Sequence, residues 1–346
     1  PILCRMTDPD VFREALNDFS LMSEGEAMTG NASGQPSTLA FGTVVRAAPI
    51  AEGGELVLLD WDSKTVEATV SIRPRNPTIE EDPNPRGNGR GCRGVRQVNG
   101  HLVASTYHTL ELYDSHLEQI GAISGGLMAG LHEIALTDHG TVWVTSTAID
   151  AAVEYNLETG DRMRAYWPRE MDGLQAALGL SPLDIDKSAD NRLRFLGPAA
   201  TDAESHLHLN AAEVHDGALY ALFNAYGVVA NLTTEEVVLE HERLRGGHNL
   251  VIGNDGVAIV NDSFGKAVRF YDLDAGQLRR TIDLTEFEWV RDLIRWEVPM
   301  YWGKEALRKV GGIEGSVAKP LFVRGLARWK DTLFIGVSPA SILQVN

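Results

Sequence analysis

Cysteine and positive charge are both scarce in this chain of 346 residues. Its two cysteines, Cys4 and Cys92, are too few for a disulfide framework, so we expect a reducing compartment, with the cytoplasm as the default. The 31 lysines and arginines against 48 aspartates and glutamates give a net charge of −17, which argues against nucleic acid or an anionic membrane surface as the main partner. There is no apolar run of about 18 residues and no signal-peptide pattern, so we predict no membrane span.

Five short segments of the chain share one pattern. Each begins with an arginine or histidine, which we call the marker residue, continues as an apolar run, and ends in a polar turn that a second apolar strand follows. The markers are Arg93, His132, His208, His248 and Arg324. Their spacings are 39, 76, 40 and 76 residues, so one unit has about 39 residues and two units carry insertions. A repeat of about 40 residues built from short strands is typical of a β-propeller.

Further strands complete each unit. A third apolar segment ends in or near Asp or Asn, which commonly opens a turn to a fourth strand. The early segments 41–48, 55–60 and 65–72 also have the composition of consecutive antiparallel strands. The last unit stops at Asn346 without a fourth strand, so we expect the N-terminal strands to complete the closing blade, and the alternative is that residues 41–72 form a blade of their own. The sequence therefore predicts an all-β fold, a single β-propeller domain over residues 1–346 with five or six blades.

Two insertions, at about 162–205 and 285–320, interrupt the repeat of about 39 residues. The second is rich in tryptophan and has apolar residues largely at helical spacing, so we expect both insertions to be partly helical. Segments of this length in a compact fold are often lids or binding elements. We predict that the two insertions cap one face of the propeller, and packing alone is the alternative role.

The three marker histidines suggest a metal site. The first strand of a propeller blade runs along the central axis, so His132, His208 and His248 should meet at one rim with the residues that end the second strands. Those residues are Ser105, Ser146, Asn224, Asp262 and Ser338. Neutral imidazole is a common ligand of transition metals, and three such ligands leave coordination positions open for a substrate. We therefore predict a divalent transition metal, with iron and zinc as the leading candidates, and an ordinary polar channel lining is the alternative.

Other polar residues could complete the chemistry. Arg93 and Arg324 suit a carboxylate or phosphate, because the guanidinium fork pairs bidentately with planar anions. His206 lies two residues before His208 and so points to the same face of an extended strand, as a fourth ligand, a general base or a plain rim residue. Tyr107 lies near the end of a second strand and could donate a proton. Glu133, with Asp262, could orient the metal-bound imidazoles from behind.

The segment Phe322–Ser338 resembles the last blade of a group of little-characterised bacterial β-propellers. Its Arg-Gly-Leu-Ala start and its Gly-Val-Ser end are similar to elements of that group, as is the His-Leu-Asn sequence that begins at His208. In design rather than in sequence, the expected site is similar to the axial histidine sites of peptidyl-hydroxyglycine lyases and oligogalacturonate lyases. Carotenoid oxygenases hold iron through four such histidines, whereas this chain offers three at marker positions. These likenesses imply the fold and, by analogy alone, a metal centre.

The leading functional hypothesis is a metal-dependent enzyme of the lyase or hydrolase type. His132, His208 and His248 would hold the metal as a Lewis acid, and Arg93 and Arg324 would grip a small anionic substrate. A non-haem iron oxygenase that uses the same site is the second hypothesis. The third is a propeller without catalytic activity that binds a ligand or a protein.

Overall fold

The computed structural model describes residues 2–6, 38–43, 54–72, 91–98, 101–194, 206–295, 322–337 and 341–346, with the backbone alone for 2–6 and 293–295. These residues form 23 strands in six antiparallel sheets. Each sheet is one blade, and its strands follow each other in chain order from the centre outwards. The all-β propeller prediction is confirmed, and the number of blades is six.

The first three blades each have four strands. Blade 1 comprises β1 (Ile2–Met6), β2 (Thr38–Gly42), β3 (Glu55–Asp60) and β4 (Thr65–Ser71). Blade 2 comprises β5 (Gly94–Val98), β6 (His101–Ser105), β7 (Leu110–Tyr113) and β8 (Gln119–Ile123). Blade 3 comprises β9 (Leu131–Leu136), β10 (Thr141–Ser146), β11 (Ala151–Asn156) and β12 (Arg162–Tyr166).

The remaining blades continue the series, and the last has three strands in the described part of the chain. Blade 4 comprises β13 (Leu209–His215), β14 (Ala218–Phe223), β15 (Val228–Asn231) and β16 (Glu236–Glu240). Blade 5 comprises β17 (Gly247–Ile252), β18 (Val257–Asp262), β19 (Ala267–Asp272) and β20 (Gln277–Asp283). Blade 6 comprises β21 (Val323–Trp329), β22 (Thr332–Val337) and β23 (Ser341–Val345).

The inner strands β1, β5, β9, β13, β17 and β21 contact one another in sequence, and β21 contacts β1, so the ring is closed. Of the two roles predicted for the N-terminal strands, completion of the last blade is wrong and a blade of their own is confirmed. They form blade 1 by themselves, with β1 paired to β2 and blade 6 as a separate sheet. The ring therefore closes by packing of blade 1 against blade 6. One such contact is a hydrogen bond of 2.7 Å from the Trp61 indole to the side chain of Gln344.

The core lies between neighbouring blades, as the middle strand β10 shows. Every residue of β10 is buried. Val142 and Val144 pack with residues of blade 2, whereas Trp143, which points to the opposite face, packs with residues of blade 4. Successive side chains of a strand alternate between the two faces of the sheet, and here both faces are covered. The apolar centre of β10, residues 142–144, therefore contributes to the core on both sides of its blade.

Four inner strands carry a one-residue shift of register close to the marker. The shifts fall in β9, β13, β17 and β21, whereas the pairing of β5 with β6 is regular. Such a bulge adds a residue on one strand and changes the direction of the side chains around it. In β17 the extra residue is Asn249, which has a left-handed backbone with φ of 59°. In β21 the corresponding residue is Gly325, with φ of 102°.

Two short helices follow outer strands at the marker end of the propeller. Helix α1 (Asp172–Leu178) comes after β12, and helix α2 (Glu288–Arg295) comes after β20. Residues 162–166, which fall within the predicted first insertion, form β12 and belong to blade 3. Residues 195–205 and 296–320 of the two insertions lie outside the described residues, as does the predicted helix at 9–18. Among the described helices, none has the length and apolar character needed to cross a membrane.

Candidate functional site

Marker residues from different blades lie side by side at the mouth of the central channel. The imidazole rings of His132 in blade 3 and His208 at the start of blade 4 have centroids 5.1 Å apart and planes at 72°. Nη2 of Arg324, from blade 6, lies 3.3 Å from Nδ1 of His132. The propeller thus brings together residues that are 192 positions apart in the chain.

Both imidazoles are held neutral by their surroundings. Burial lowers the pKa of His132 well below its ordinary value, and the charge of Arg324 lowers it further, followed by His208, Arg93 and His248. Burial and then Arg324 lower the pKa of His208 to about 4, although the carboxylate of Asp150 acts in the opposite direction. All four other markers act on His132, which shows that they share one electrostatic environment.

The hydrogen bond from Arg324 determines which nitrogen of His132 carries the proton. A guanidinium can only donate, so Nδ1 of His132 must be the acceptor and Nε2 must carry the hydrogen in the neutral ring. His132 therefore presents an N–H group, not a lone pair, at its second nitrogen. An N–H group suits an anion or a carbonyl oxygen better than it suits a metal ion.

His248 is oriented by its own blade and by blade 6. Its Nδ1 lies 3.1 Å from the carbonyl oxygen of Gly246 and 2.7 Å from Oγ of Ser263, whose hydroxyl donates to the carbonyl of Val323. Nδ1 of His248 must therefore be the donor, which leaves the lone pair on Nε2. The ring of Phe322 meets the imidazole edge-on, with centroids 5.2 Å apart.

The predicted three-histidine metal site has no preassembled form in the described residues. Within those ranges, no group of three or more His, Cys, Asp or Glu side chains has a geometry that could hold a metal ion. The tautomers of the two rings also differ, because the neutral ring of His132 carries a hydrogen on Nε2 whereas that of His248 carries a lone pair there. The metal assignment therefore stays a prediction.

His206 lies in a buried polar cluster beside the imidazoles. Its Nδ1 is 3.5 Å from Oδ2 of Asp150, a carboxylate that is fully buried and accepts the backbone N–H of Leu207 at 3.0 Å. Nη1 of Arg169, from the first insertion, lies 3.4 Å from the same oxygen. Asp150 and Arg169 were not predicted as site residues, because both lie in connections between strands, where the repeat pattern does not apply. The unusual φ of 48° at Asp150 becomes visible only in the fold.

The other sequence candidates contact backbone or partners within one blade. The Tyr107 hydroxyl donates to the carbonyl oxygen of Arg194 at 2.8 Å and so anchors the first insertion. Asp262 forms an ion pair of 2.8 Å with Arg269 in its own blade, so its carboxylate is directed away from the role of orienting an imidazole. Three of the residues at the ends of second strands bond to main-chain atoms, namely Ser105, Ser146 and Asn224. Ser338 lies outside the described residues.

A second polar layer, which we call the carboxylate layer, lies deeper in the channel. Arg96 has a guanidinium nitrogen 3.6 Å from a carboxylate oxygen of Glu133 and another 3.6 Å from one of Glu213. Nδ2 of Asn249 donates to Glu133 at 2.8 Å. Burial raises the pKa of both carboxyl groups, and that of Glu213 reaches about 7. The sequence analysis did not predict Arg96 and Glu213 as site residues, although a charged residue within an inner strand indicates a polar channel.

No protein-family model matches the chain, and no curated protein matches it in sequence. Solved structures are similar to it at low identity. The computationally designed Ika8 protein is 9% identical with a TM-score of 0.41, over 92% of this chain and 69% of that one. A catalytically inactive variant of virginiamycin B lyase from Staphylococcus aureus, solved with quinupristin, is 10% identical with a TM-score of 0.48, over 89% and 76%. The WD40 repeats of RRP9 are 8% identical with a TM-score of 0.47, over 87% and 70%.

Proposed function

We propose that the mouth of the channel binds a small anionic substrate of the carboxylate or phosphate type. Arg324 and Arg93 would provide the positive charge, and the Nε2–H group of His132 would donate a third hydrogen bond. The observation that carries this proposal is the 3.3 Å contact from Nη2 of Arg324 to Nδ1 of His132, because it fixes the tautomer that donates. Charge-assisted bonds from guanidinium groups are the common means of binding such anions in proteins.

The electrostatics of the site support an anion as the ligand. Two guanidinium groups act on a buried imidazole and help to keep it neutral. In a partly desolvated site of this kind, a bound negative charge interacts more strongly with the arginines than it would in water. Electrostatic complementarity at the mouth is therefore better for an anion than for a metal cation.

Binding of the anion would also change the proton affinity of the neighbouring imidazoles. A negative charge beside His208, whose pKa is about 4, offsets the effect of Arg324 and raises that pKa. The imidazole then becomes a stronger base only when substrate is present. Such coupling suits a general base in an elimination or a hydrolysis, so a lyase or hydrolase is the reaction class that we favour.

The binding step can be tested without knowledge of the natural substrate. Inorganic sulfate keeps its charge between pH 5 and pH 8, and calorimetry at low ionic strength can measure its affinity. We expect saturable binding that weakens at least tenfold in the Arg324→Gln variant. Arg328→Gln is the matched control, because Arg328 lies on the same strand at the opposite end and contacts Asp255. Equal losses in the two variants, or no saturable binding by the unaltered protein, would refute the proposal.

A metal-dependent enzyme is the second candidate. Low pKa values keep His132 and His208 neutral, which is the form that binds a metal, and the neutral ring of His248 carries its lone pair on Nε2 because Nδ1 donates to Gly246. The arrangement fits a metal less well than an anion, because His132 would first have to give up its bond from Arg324. Metal analysis of the purified protein tests this candidate. Stoichiometric iron or zinc that is lost in a His132→Ala/His248→Ala double variant would favour it, and oxygen consumption would then separate an oxygenase from a lyase.

A further inference from the structure

Of the three marker histidines, His208 alone stands outside a strand. His132 lies within β9 and His248 lies within β17, so both backbones belong to a paired strand. His208 precedes β13, which begins at Leu209, and its backbone has φ of 55°. A residue with a side chain rarely adopts this left-handed conformation. Contacts other than strand pairing must therefore hold His208 in place.

Two side chains of blade 3 hold the residues on either side of His208. Both carboxylate oxygens of Asp150 accept the backbone N–H of Leu207, Oδ1 at 3.1 Å and Oδ2 at 3.0 Å. The hydroxyl of Thr147 donates to the carbonyl oxygen of Leu209 at 2.6 Å. Asp150 and Thr147 lie in the connection between β10 and β11. A hydrogen bond to a buried carboxylate is among the stronger kinds, because its acceptor is charged and is shielded from water.

The end of β14 holds the same segment from within blade 4. The backbone N–H of Asn224 donates to the carbonyl oxygen of His208, and that of Ala225 donates to the carbonyl oxygen of Leu207, both at 3.2 Å. Together with the bonds from blade 3, these contacts form what we call the clamp. The clamp fixes the backbone on both sides of His208 and with it the direction of the His208 side chain.

The charge of Asp150 is offset on its other side. Its side chain is fully buried, and Nη1 of Arg169 in the first insertion lies 3.4 Å from Oδ2. A buried carboxylate is costly unless it is paired and hydrogen-bonded. Arg169 therefore helps to keep Asp150 ionised as an acceptor, and it links the first insertion to the segment that carries His208.

The clamp joins the two blades that carry the neighbouring imidazoles. Asp150 belongs to blade 3, as His132 does, whereas His208 stands at the start of blade 4. An extended backbone at His208 would direct its ring away from this arrangement, in which the two centroids lie 5.1 Å apart. The relative position of the two rings thus depends on the left-handed conformation of His208.

We propose that Asp150 is a positioning residue, which holds His208 in its left-handed conformation and so keeps its imidazole beside that of His132. The use of His208 as a base rests on the proposed function of the channel mouth, whereas its position does not.

NMR can measure the position of the His208 ring without a ligand. In protein labelled at histidine and tyrosine, we expect a cross-peak between the ring protons of His132 and His208, assigned with His132→Asn. Asp150→Ala should lose this cross-peak, because the N–H of Leu207 then has no carboxylate acceptor. Asp150→Asn should retain it, since the amide oxygen can accept the same N–H group.

Two controls separate this effect from a general loss of structure. The rings of His215 and Tyr220 in blade 4 have centroids 6.2 Å apart, and their cross-peak should persist in every variant. Asp114→Ala is the matched control, because the Asp114 carboxylate also accepts two backbone N–H groups but lies at the far end of blade 2. It should leave the His132–His208 cross-peak unchanged.

A second variant covers the case in which Asp150→Ala does not fold and so loses the reference cross-peak as well. Asp150→Leu/Arg169→Met replaces both buried charges by apolar groups of similar size, a change that folded proteins often tolerate. It also removes the acceptor for Leu207, so the His132–His208 cross-peak should again be lost.

Three results would overturn the proposal. They are an unchanged cross-peak in a folded variant without the carboxylate, equal losses in Asp150→Ala and Asp150→Asn, and a loss in Asp114→Ala. Sulfate binding by the unaltered protein is a separate measurement. Its absence refutes the anion at the channel mouth but does not change the outcome of the NMR test of Asp150.

Discussion

Arg324 donates from its Nη2 to Nδ1 of His132 across a distance of 3.3 Å, although the two residues belong to blades 6 and 3. This contact fixes the tautomer of His132 and lowers its pKa through the positive charge of the guanidinium. It also links an arginine marker to a histidine marker, so the two residue types that begin the repeat units are in direct contact.

The first prediction concerns the tautomer of His132. In the unaltered protein at pH 7, the ring should be neutral with its hydrogen on Nε2, because Nδ1 accepts from Arg324. Nitrogen-15 NMR of histidine-labelled protein distinguishes the two ring nitrogens, and His132→Asn assigns the signal. Arg324→Gln should shift the population towards the other tautomer, whereas Arg328→Gln should not. A hydrogen on Nδ1 in the unaltered protein would contradict the structure.

The second prediction concerns Glu213 and the dependence of stability on pH. Burial raises the pKa of Glu213 from 4.5 to about 7. Because the pKa of Glu213 is higher in the folded protein, its contribution to the free energy of unfolding is fully present below about pH 4.5. That contribution is lost as the pH rises from there through about 7. The shift corresponds to about 3 kcal/mol at most, and we expect about 1–2 kcal/mol because the side chain retains some exposure.

The measurement for Glu213 is urea unfolding at pH 5 and pH 8. The Glu213→Gln variant should lack the loss of stability that the unaltered protein undergoes between these two values. Glu240→Gln provides the control, since Glu240 is exposed on β16 of the same blade. If the control and Glu213→Gln follow the same pH dependence, the carboxylate layer does not titrate in this range.

The third prediction concerns packing between blades 3 and 4. Trp143 is buried, and its ring stacks on Tyr166 with centroids 5.0 Å apart and planes at 10°. Trp143→Ala should lower the free energy of unfolding by about 3–5 kcal/mol, because a large cavity is left in the core. Trp289→Ala removes an exposed ring on helix α2 and should cost less than about 0.5 kcal/mol. Similar losses in the two variants would mean that Trp143 is not a core residue.

The sequence predicted the repeat and its markers because both depend on local order. Turn residues and apolar runs recur with the period of the blade, so the strands and the convergence of the markers follow from spacing alone. The way in which the ring closes could not be predicted from the spacing. Residues 38–71 have the pattern of strands whether they complete another blade or form a blade of their own. Only the pairing of β1 with β2 decides between these alternatives.

The carboxylate layer could not be predicted from the sequence, for a different reason. Arg96, Glu133 and Glu213 lie on three inner strands, and nothing in their local sequence indicates that they meet. The register shifts in four of the inner strands contribute, because one extra residue changes which side chains face the channel. A strictly alternating strand pattern assigns those side chains to the wrong faces.

The last prediction tests the bulge that positions Asn249. This residue has φ of 59° and is buried, its Nδ2 donates to Glu133, and its Oδ1 accepts from the backbone N–H of Gly325 at 2.8 Å. Asn249→Ala should cost about 2–4 kcal/mol, because it leaves buried polar groups without partners and places a Cβ in a left-handed conformation. Asn249→Gly removes the same hydrogen bonds but tolerates that backbone, so it should be less destabilised by about 1 kcal/mol. Chemical unfolding of the three proteins measures both the loss of the hydrogen bonds of Asn249 and the cost of a Cβ in the left-handed conformation. If the glycine variant is as stable as the unaltered protein, the amide contributes nothing and the bulge alone sets the local structure.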